Sequence, residues 1–236
     1  MGKISLEHLR GPMYRITDPL IQWMIRRGVH PNAVTTAGFV VTLAAGFFFH
    51  QDHVRIAGFC VLLGGLFDLL DGRVARESGL ASKFGSFYDS TLDRISEIVV
   101  YLGLASLYNN VLTQDVLTQK MDVAMIYVVM LAMGGSLMVS YTRARALGLG
   151  LDCKVGLMQR PERVVLLGVA AMFFGLDFNG LFLSLVIILV AVLTNITAIH
   201  RIVWVFQHGA GVPLDDGLSG GCAPKEEKGG SGHAGT

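Results

Sequence analysis

The chain has 236 residues, 52% of them hydrophobic and 16% charged, with a net charge of +1 and a mean hydropathy of +0.54. So apolar and charge-poor a composition excludes an ordinary soluble domain, and no nucleic-acid partner is expected from it. The apolar residues also come in long uncharged runs, so the bilayer is the solvent against which the chain is read.

Residues 1–30 come first. Leu6, Leu9, Met13, Ile16, Leu20 and Met24 recur at steps of three or four, with Arg10, Arg15, Arg26 and Arg27 interspersed. This pattern predicts a basic amphipathic helix lying in the membrane interface, interrupted or restarted at Pro12 and Pro19. The segment lacks an unbroken apolar core followed by a small-residue cleavage site, so no cleavable signal peptide is expected. Gly28-Val29-His30-Pro31-Asn32 then breaks the helix.

Six spanning helices are predicted next, at about 33–51, 54–77, 85–112, 121–148, 160–177 and 180–206. Ala33 to Phe49, Ile56 to Phe67, Val123 to Tyr141 and Leu181 to Ile199 contain no Lys, Arg, Asp or Glu. Ile95 to Leu112 holds only Glu97, and Val164 to Leu176 follows the polar start QRPER. A span needs roughly 17–25 residues, so several of these runs reach that length only with the charged turns at their ends. The fold class expected is all-α integral membrane: a catalytic domain over 31–206, led by the interfacial helix. Residues 207–236, with nine Gly and two Pro, read as a disordered tail.

Orientation follows from the basic residues. With six spans, 19 Lys and Arg fall on one side except for Arg55 and Lys120. The positive-inside rule places that side, with both chain ends, in the cytoplasm. Cys60, Cys153 and Cys222 are far apart and suggest neither a disulfide nor a zinc site.

Four aspartates stand at the cytoplasmic mouth of the second and third spans. Asp68 and Asp71 are three apart, Asp89 and Asp93 four apart, so each pair shares one helix face. A continuous helix would separate Asp71 from Asp89 by roughly 27 Å. Glu77-Ser78-Gly79 and Gly85 let the chain double back and bring the pairs face to face. Bare carboxylates at that depth repel one another and are costly to desolvate. Divalent ions remove the problem, and an all-oxygen set suits Mg²⁺ or Mn²⁺. Two such ions about 4 Å apart form the usual clamp for displacement at phosphorus. Helix-capping acids paired with arginines are a bland alternative, and a cation-coupled membrane transporter is the rival from another class.

The order Asp68-x-x-Asp71-Gly72-x-x-Ala75-Arg76, eight residues, then Gly85-x-x-x-Asp89-x-x-x-Asp93 resembles the full signature of the CDP-alcohol phosphotransferases. The resemblance extends over roughly residues 10–206. It implies that a hydroxyl attacks a CDP-linked lipid, usually CDP-diacylglycerol, and that CMP leaves. Matched residue by residue, it implies Asp68, Asp71 and Asp89 as metal ligands, with Asp93 beside the metals and acting as general base. Two ions, Mg²⁺ or Mn²⁺, are expected. Gly72, Ala75, Arg76, Ser82 and Gly85 would line the CDP-lipid pocket, joined by Asn32 and Thr35 from PNAVT. A homodimer is a family-level expectation; Gly134, Gly135 and Ser136 permit close helix contact.

A second basic cluster bears on the acceptor. Arg143, Arg145, Lys154, Arg160 and Arg163 lie around the join of the fourth and fifth spans. A neutral alcohol would not need them, whereas a phosphorylated one would. SYTRAR and RPER are similar to phosphatidylinositol-phosphate synthases, although Leu147 stands where an acidic residue commonly follows. The expected acceptor is myo-inositol 1-phosphate; glycerol 3-phosphate is the alternative within the family.

Overall fold

The computed structural model describes residues 7–110 and 116–210, all of them in helices and connections with no strand among them. The helices are α1 (Glu7–Arg26), α2 (Pro31–His50), α3 (Val54–Glu77), α4 (Lys83–Asn110), α5 (Val116–Gly148), α6 (Arg160–Val169) and α7 (Leu181–Gly209). Three helical stretches, Pro31–His50, Asp122–Gly148 and Asp177–Gly209, are long and apolar enough to cross a membrane. α3 and α4 are long enough, but carry the charges of the aspartate motif.

The helix ends follow local chemistry. Gly28 at φ +66° stops α1, and His30 Nδ1 accepts the backbone N–H of Asn32 to start α2, with Pro31 in its first turn. Gly79 at φ +72° turns the chain after α3. Ser82 then caps α4, its Oγ accepting the Gly85 N–H at 3.0 Å.

Three expectations change. α1 is one continuous helix through Pro12 and Pro19. A proline removes one intrahelical hydrogen bond yet holds a helical φ. Docking repays the loss: Ile21 and Met24 are buried against Val34, Leu70 and Val74, and Arg73 of α3 donates to Asp18 at 2.6 Å and Thr17 at 2.5 Å. Leu20 and Trp23 stay exposed, with the Arg27 guanidinium 5.5 Å over the Trp23 ring. The fifth predicted span is regular only to Val169. It continues as a π-turn over Ala170–Phe174 and stops at Gly175, φ +52°. The last helix runs to Gly209, three residues past its expected end, and the rest of the predicted tail lies outside the described residues.

α2 packs on both α3 and α4, α5 pairs with α7, and α6 lies on α3. The α2–α4 contact depends on small residues: a Cβ on Gly103 would sit 2.5 Å from the Gly46 carbonyl oxygen. Polar pins join the other helices. Tyr101 bonds Ser136 at 2.9 Å, Tyr108 bonds Ser184 at 2.9 Å, and Asn195 donates to the Leu131 carbonyl at 3.1 Å. Gly135 is pressed against Thr194 and Asn195, so Gly135 and Ser136 are used inside the chain, while Gly134 faces open space. Leu185, Ile188, Leu189, Val192, Ile196 and Ile199 of α7 are all exposed, an apolar surface far beyond what a water-soluble monomer presents.

Candidate active site

The turn at Ser78–Ser82 folds α4 back along α3, and all four aspartates come within electrostatic reach of Asp68 or Asp89. Asp71 is 4% exposed, and its Oδ2 makes no hydrogen bond. The hydroxyl of Thr35 stands beside it. A buried carboxylate oxygen left without a donor is costly. The groups around it include the Thr35 hydroxyl and the carboxylates of Asp68 and Asp89, oxygen donors of the kind a divalent cation takes.

Arg160, at the start of α6, reaches into this cluster. Its Nη1 donates to Asp68 Oδ2 at 2.5 Å and its Nη2 lies 2.8 Å from Asp93 Oδ1. Arg94 adds a longer pair to Asp93 at 3.4 Å. Among the described residues, no three carboxylate, imidazole or thiol side chains are drawn together tightly enough to enclose an ion as they stand. The guanidinium between Asp68 and Asp93 supplies the positive charge that divides them. The residue set fits a divalent cation by donor chemistry and by the orphaned Asp71 oxygen.

The residues expected to handle CDP lie around the same opening. Arg76 folds back over Gly72, where a Cβ would stand 3.4 Å from Arg76 Nη1. A Cβ on Gly85 would meet Ser82 Oγ at 3.1 Å and Asn32 Oδ1 at 3.3 Å, so the start of α2 abuts the start of α4. Thr36 and Tyr88 join the same two helices at 3.0 Å. Ala75 lies one turn beyond Asp71 and is partly buried. Ser82 therefore has a structural task as a helix cap as well as its place at the opening.

The five cations expected at the acceptor site separate. Arg143 and Arg145 are exposed at the end of α5. Lys154 is tied to Asp152 on the exposed loop. Arg160 reaches the carboxylates. Arg163 does not join them: it is 1% exposed, its Nε donates to Glu97 Oε1 at 2.9 Å, and its Nη1 donates to the Met158 carbonyl at 3.3 Å. Its guanidinium is buried in the bundle beside Glu97, where it lines a cavity with Asp68 and Arg160.

Two residues escaped the sequence reading. Glu97 is the partner of Arg163, and the signal was available as a lone acid in an apolar run. Arg201 is 2% exposed in α7; it donates to the Val155 carbonyl at 2.8 Å and to the Val139 carbonyl, holding the α5–α6 connection against α7. Its signal was similar: one arginine inside a long greasy helix, where charge is retained for a reason.

Residues 28–199 match the family described as CDP-alcohol phosphatidyltransferase. The archaetidylinositol phosphate synthase of Methanothermobacter thermautotrophicus is 32% identical over 208 residues, covering 88% of this chain and 97% of that protein. The phosphatidylinositol phosphate synthase of Streptomyces avermitilis is 35% identical over 223 residues, covering 89% and 86%. The fold is similar to the crystal structure of Mycobacterium tuberculosis phosphatidylinositol phosphate synthase with CDP-DAG bound, at 30% identity and a TM-score of 0.73, over 85% of this chain and 99% of that one. The same enzyme in complex with manganese and citrate matches at 29% identity and a TM-score of 0.73, over 84% and 93%. These likenesses agree with the aspartate signature and set the transporter reading aside: the chain belongs to the CDP-alcohol phosphatidyltransferase family.

Proposed function

We propose that the protein transfers the phosphatidyl group of CDP-diacylglycerol to the hydroxyl of myo-inositol 1-phosphate and releases CMP. The carrying observation is the meeting of Asp68, Asp71, Asp89 and Asp93 with Arg160 at one opening of the bundle. Arg160 is the cation aimed at the acceptor's phosphate, with the exposed Arg143 and Arg145 at the end of α5 as further donors, and a guanidinium offers two parallel donors to such a group. The curated relatives named for inositol phosphate products support this choice of acceptor.

Asp68, Asp71, Asp89 and Asp93 would hold two divalent ions, Mg²⁺ or Mn²⁺, which when bound neutralise the pyrophosphate and the departing CMP oxygen. Asp93 takes the proton of the attacking hydroxyl. The new O–P bond forms at the lipid-side phosphorus as the bond to the CMP oxygen breaks. Asn32, Thr35, Gly72, Ala75, Arg76, Ser82 and Gly85 hold the cytidine diphosphate. A carboxylate base is effective only on a hydroxyl held in line, which is the task of the arginines.

The membrane arrangement belongs to the same proposal. α2 to α7 make six spans, α1 rests in the interface with Leu20 and Trp23 toward lipid, and the opening and both chain ends face the cytoplasm. In a prokaryote this is the cell membrane. A homodimer is included, and the outward face of α5 at Gly134 is open for it.

The test is an acceptor screen. Purified protein with Mn²⁺ or Mg²⁺ and CDP-diacylglycerol is expected to release CMP with inositol 1-phosphate and to give far less with free inositol. Release with glycerol 3-phosphate alone would overturn the acceptor assignment. Release with free inositol at equal efficiency would overturn the phosphate-binding role of the arginines.

A further inference from the structure

α4 and α6 face each other across a gap. α6 packs on α3, and its approach to α4 is made through side chains. The gap holds a cavity of about 40 Å³ lined by Thr42, Ser96, Tyr101 and the acidic and basic groups of both helices. Two ion pairs cross it like rungs. The first, at the opening, is Asp93 with Arg160 at 2.8 Å. The second, one turn deeper on each helix, is Glu97 with Arg163, with Nη2 2.8 Å from Oε1 and both side chains nearly sealed from solvent, at 9% and 2% exposed. The spacings match: Glu97 is four residues past Asp93 and Arg163 three past Arg160, so each pair of side chains shares a helix face.

A buried ion pair is poor evidence of a stabilising role, because apolar residues of similar volume usually do as well or better. This one is also incomplete: neither Glu97 Oε2 nor Arg163 Nη2 makes a hydrogen bond. What it does supply is geometry. Arg163 grips Glu97 and, through Nη1, the Met158 carbonyl just before α6. It therefore sets the height and rotation of the first helical turn, the turn from which Arg160 projects.

We propose that Glu97 is a positioning residue that, by holding Arg163 across the cavity, aims Arg160 at the opening between Asp68 and Asp93. The assignment rests on the reading of Arg160 as the acceptor-phosphate cation. Glu97 touches neither substrate nor metal in this account and acts through α6 alone.

Two variants test it: Glu97→Gln, and the double Glu97→Leu/Arg163→Met, which replaces the pair with apolar side chains and avoids a stranded charge. Folding is checked by thermal melting in detergent. CMP release is measured against acceptor and against CDP-diacylglycerol separately, and backbone hydrogen exchange is followed over residues 160–167. The expected result is a folded double variant whose KM for inositol 1-phosphate rises tenfold or more. Its KM for CDP-diacylglycerol should stay within twofold of the unmodified protein, and the first turn of α6 should exchange faster. A folded double variant with an unchanged acceptor KM and unchanged exchange overturns the proposal. So does one in which both KM values rise together, or one that fails to fold, because each marks the pair as scaffolding. Should the unmodified protein prefer an unphosphorylated alcohol, the acceptor reading fails by itself. Faster exchange at 160–167, with the KM for that alcohol raised and the KM for CDP-diacylglycerol unmoved, would still support Glu97.

Discussion

In the part of the bundle built from α2, α3 and α4, four acidic side chains converge on one opening, and buried Asp71 keeps an oxygen that no protein group satisfies. In the part built from α5, α6 and α7 several basic side chains are tied to partners within the protein. Arg201 is bonded to two backbone carbonyls, Arg163 to Glu97 and Met158, and Lys154 to Asp152. In the first region buried Asp71 keeps an oxygen without a donor beside other acids, whereas in the second the buried Arg163 and Arg201 are tied to groups of the bundle itself, although Arg163 Nη2 and Glu162 Oε2 also make no hydrogen bond. Arg160 stands between the two, anchored in the second region and reaching into the first. Charge count therefore says little about function here, and the partner of each charge says a great deal.

The contrast is sharpest at Asp93. Replacing it with Asn should lower turnover by about 10²- to 10⁴-fold, the usual range for a lost general base. Equilibrium binding of CDP-diacylglycerol should hold, and the melting temperature should move little, because relief of crowding among the acids offsets the lost pair with Arg160. Near-normal turnover of Asp93→Asn would break the division. At Arg201 the expected loss is of structure. Arg201→Ala takes its donor from the part-buried Val155 carbonyl, which costs about 1–3 kcal/mol if that group is left unsatisfied, while the Val139 carbonyl keeps the Thr142 hydroxyl; the loss should appear as a lower melting temperature and faster proteolysis of the connection at 149–159. Unchanged melting would mean that this arginine is not part of the construction. The smallest effect belongs to Lys154, whose pair with Asp152 is well exposed. Lys154→Ala should change stability by less than about 1 kcal/mol and leave the CDP-diacylglycerol KM alone. A marked rise in acceptor KM would move Lys154 into the opening.

The same division governs what could be read from the chain beforehand. Asp68, Asp71, Asp89 and Asp93 were legible because their spacing is a helix spacing, and Gly79 announces the turn that folds the two pairs together, while Gly85, expected to break the helix, lies inside α4. The start of α2 and the end of α3 were legible for a related reason: His30-Pro31 and Gly79 carry their signals within a few residues, whereas α5 starts at Val116, five residues before its expected start. The pairing of Glu97 with Arg163 spans 66 residues of chain and no local rule foretells it. Arg163 therefore read only as one more phosphate ligand beside Arg160, and its pairing with Glu97 in the interior was not foreseen. The π-turn at Ala170–Phe174 was hidden for the opposite reason: AAMFF is as apolar as any span, and the break comes only at Gly175. The prolines of α1 misled because tertiary contacts from Ile21, Met24 and Arg73 outweigh two missing backbone bonds.

Arg73 sits at a position the aspartate signature leaves unspecified, between Asp71 and Arg76, and it bonds Asp18 and Thr17 of the first helix as well as Glu77 of its own. The tether to α1 and the residues proposed to hold the nucleotide thus occupy one helical turn, with no flexible linker to absorb strain. Any tug on α1 from its surroundings is delivered to that turn directly.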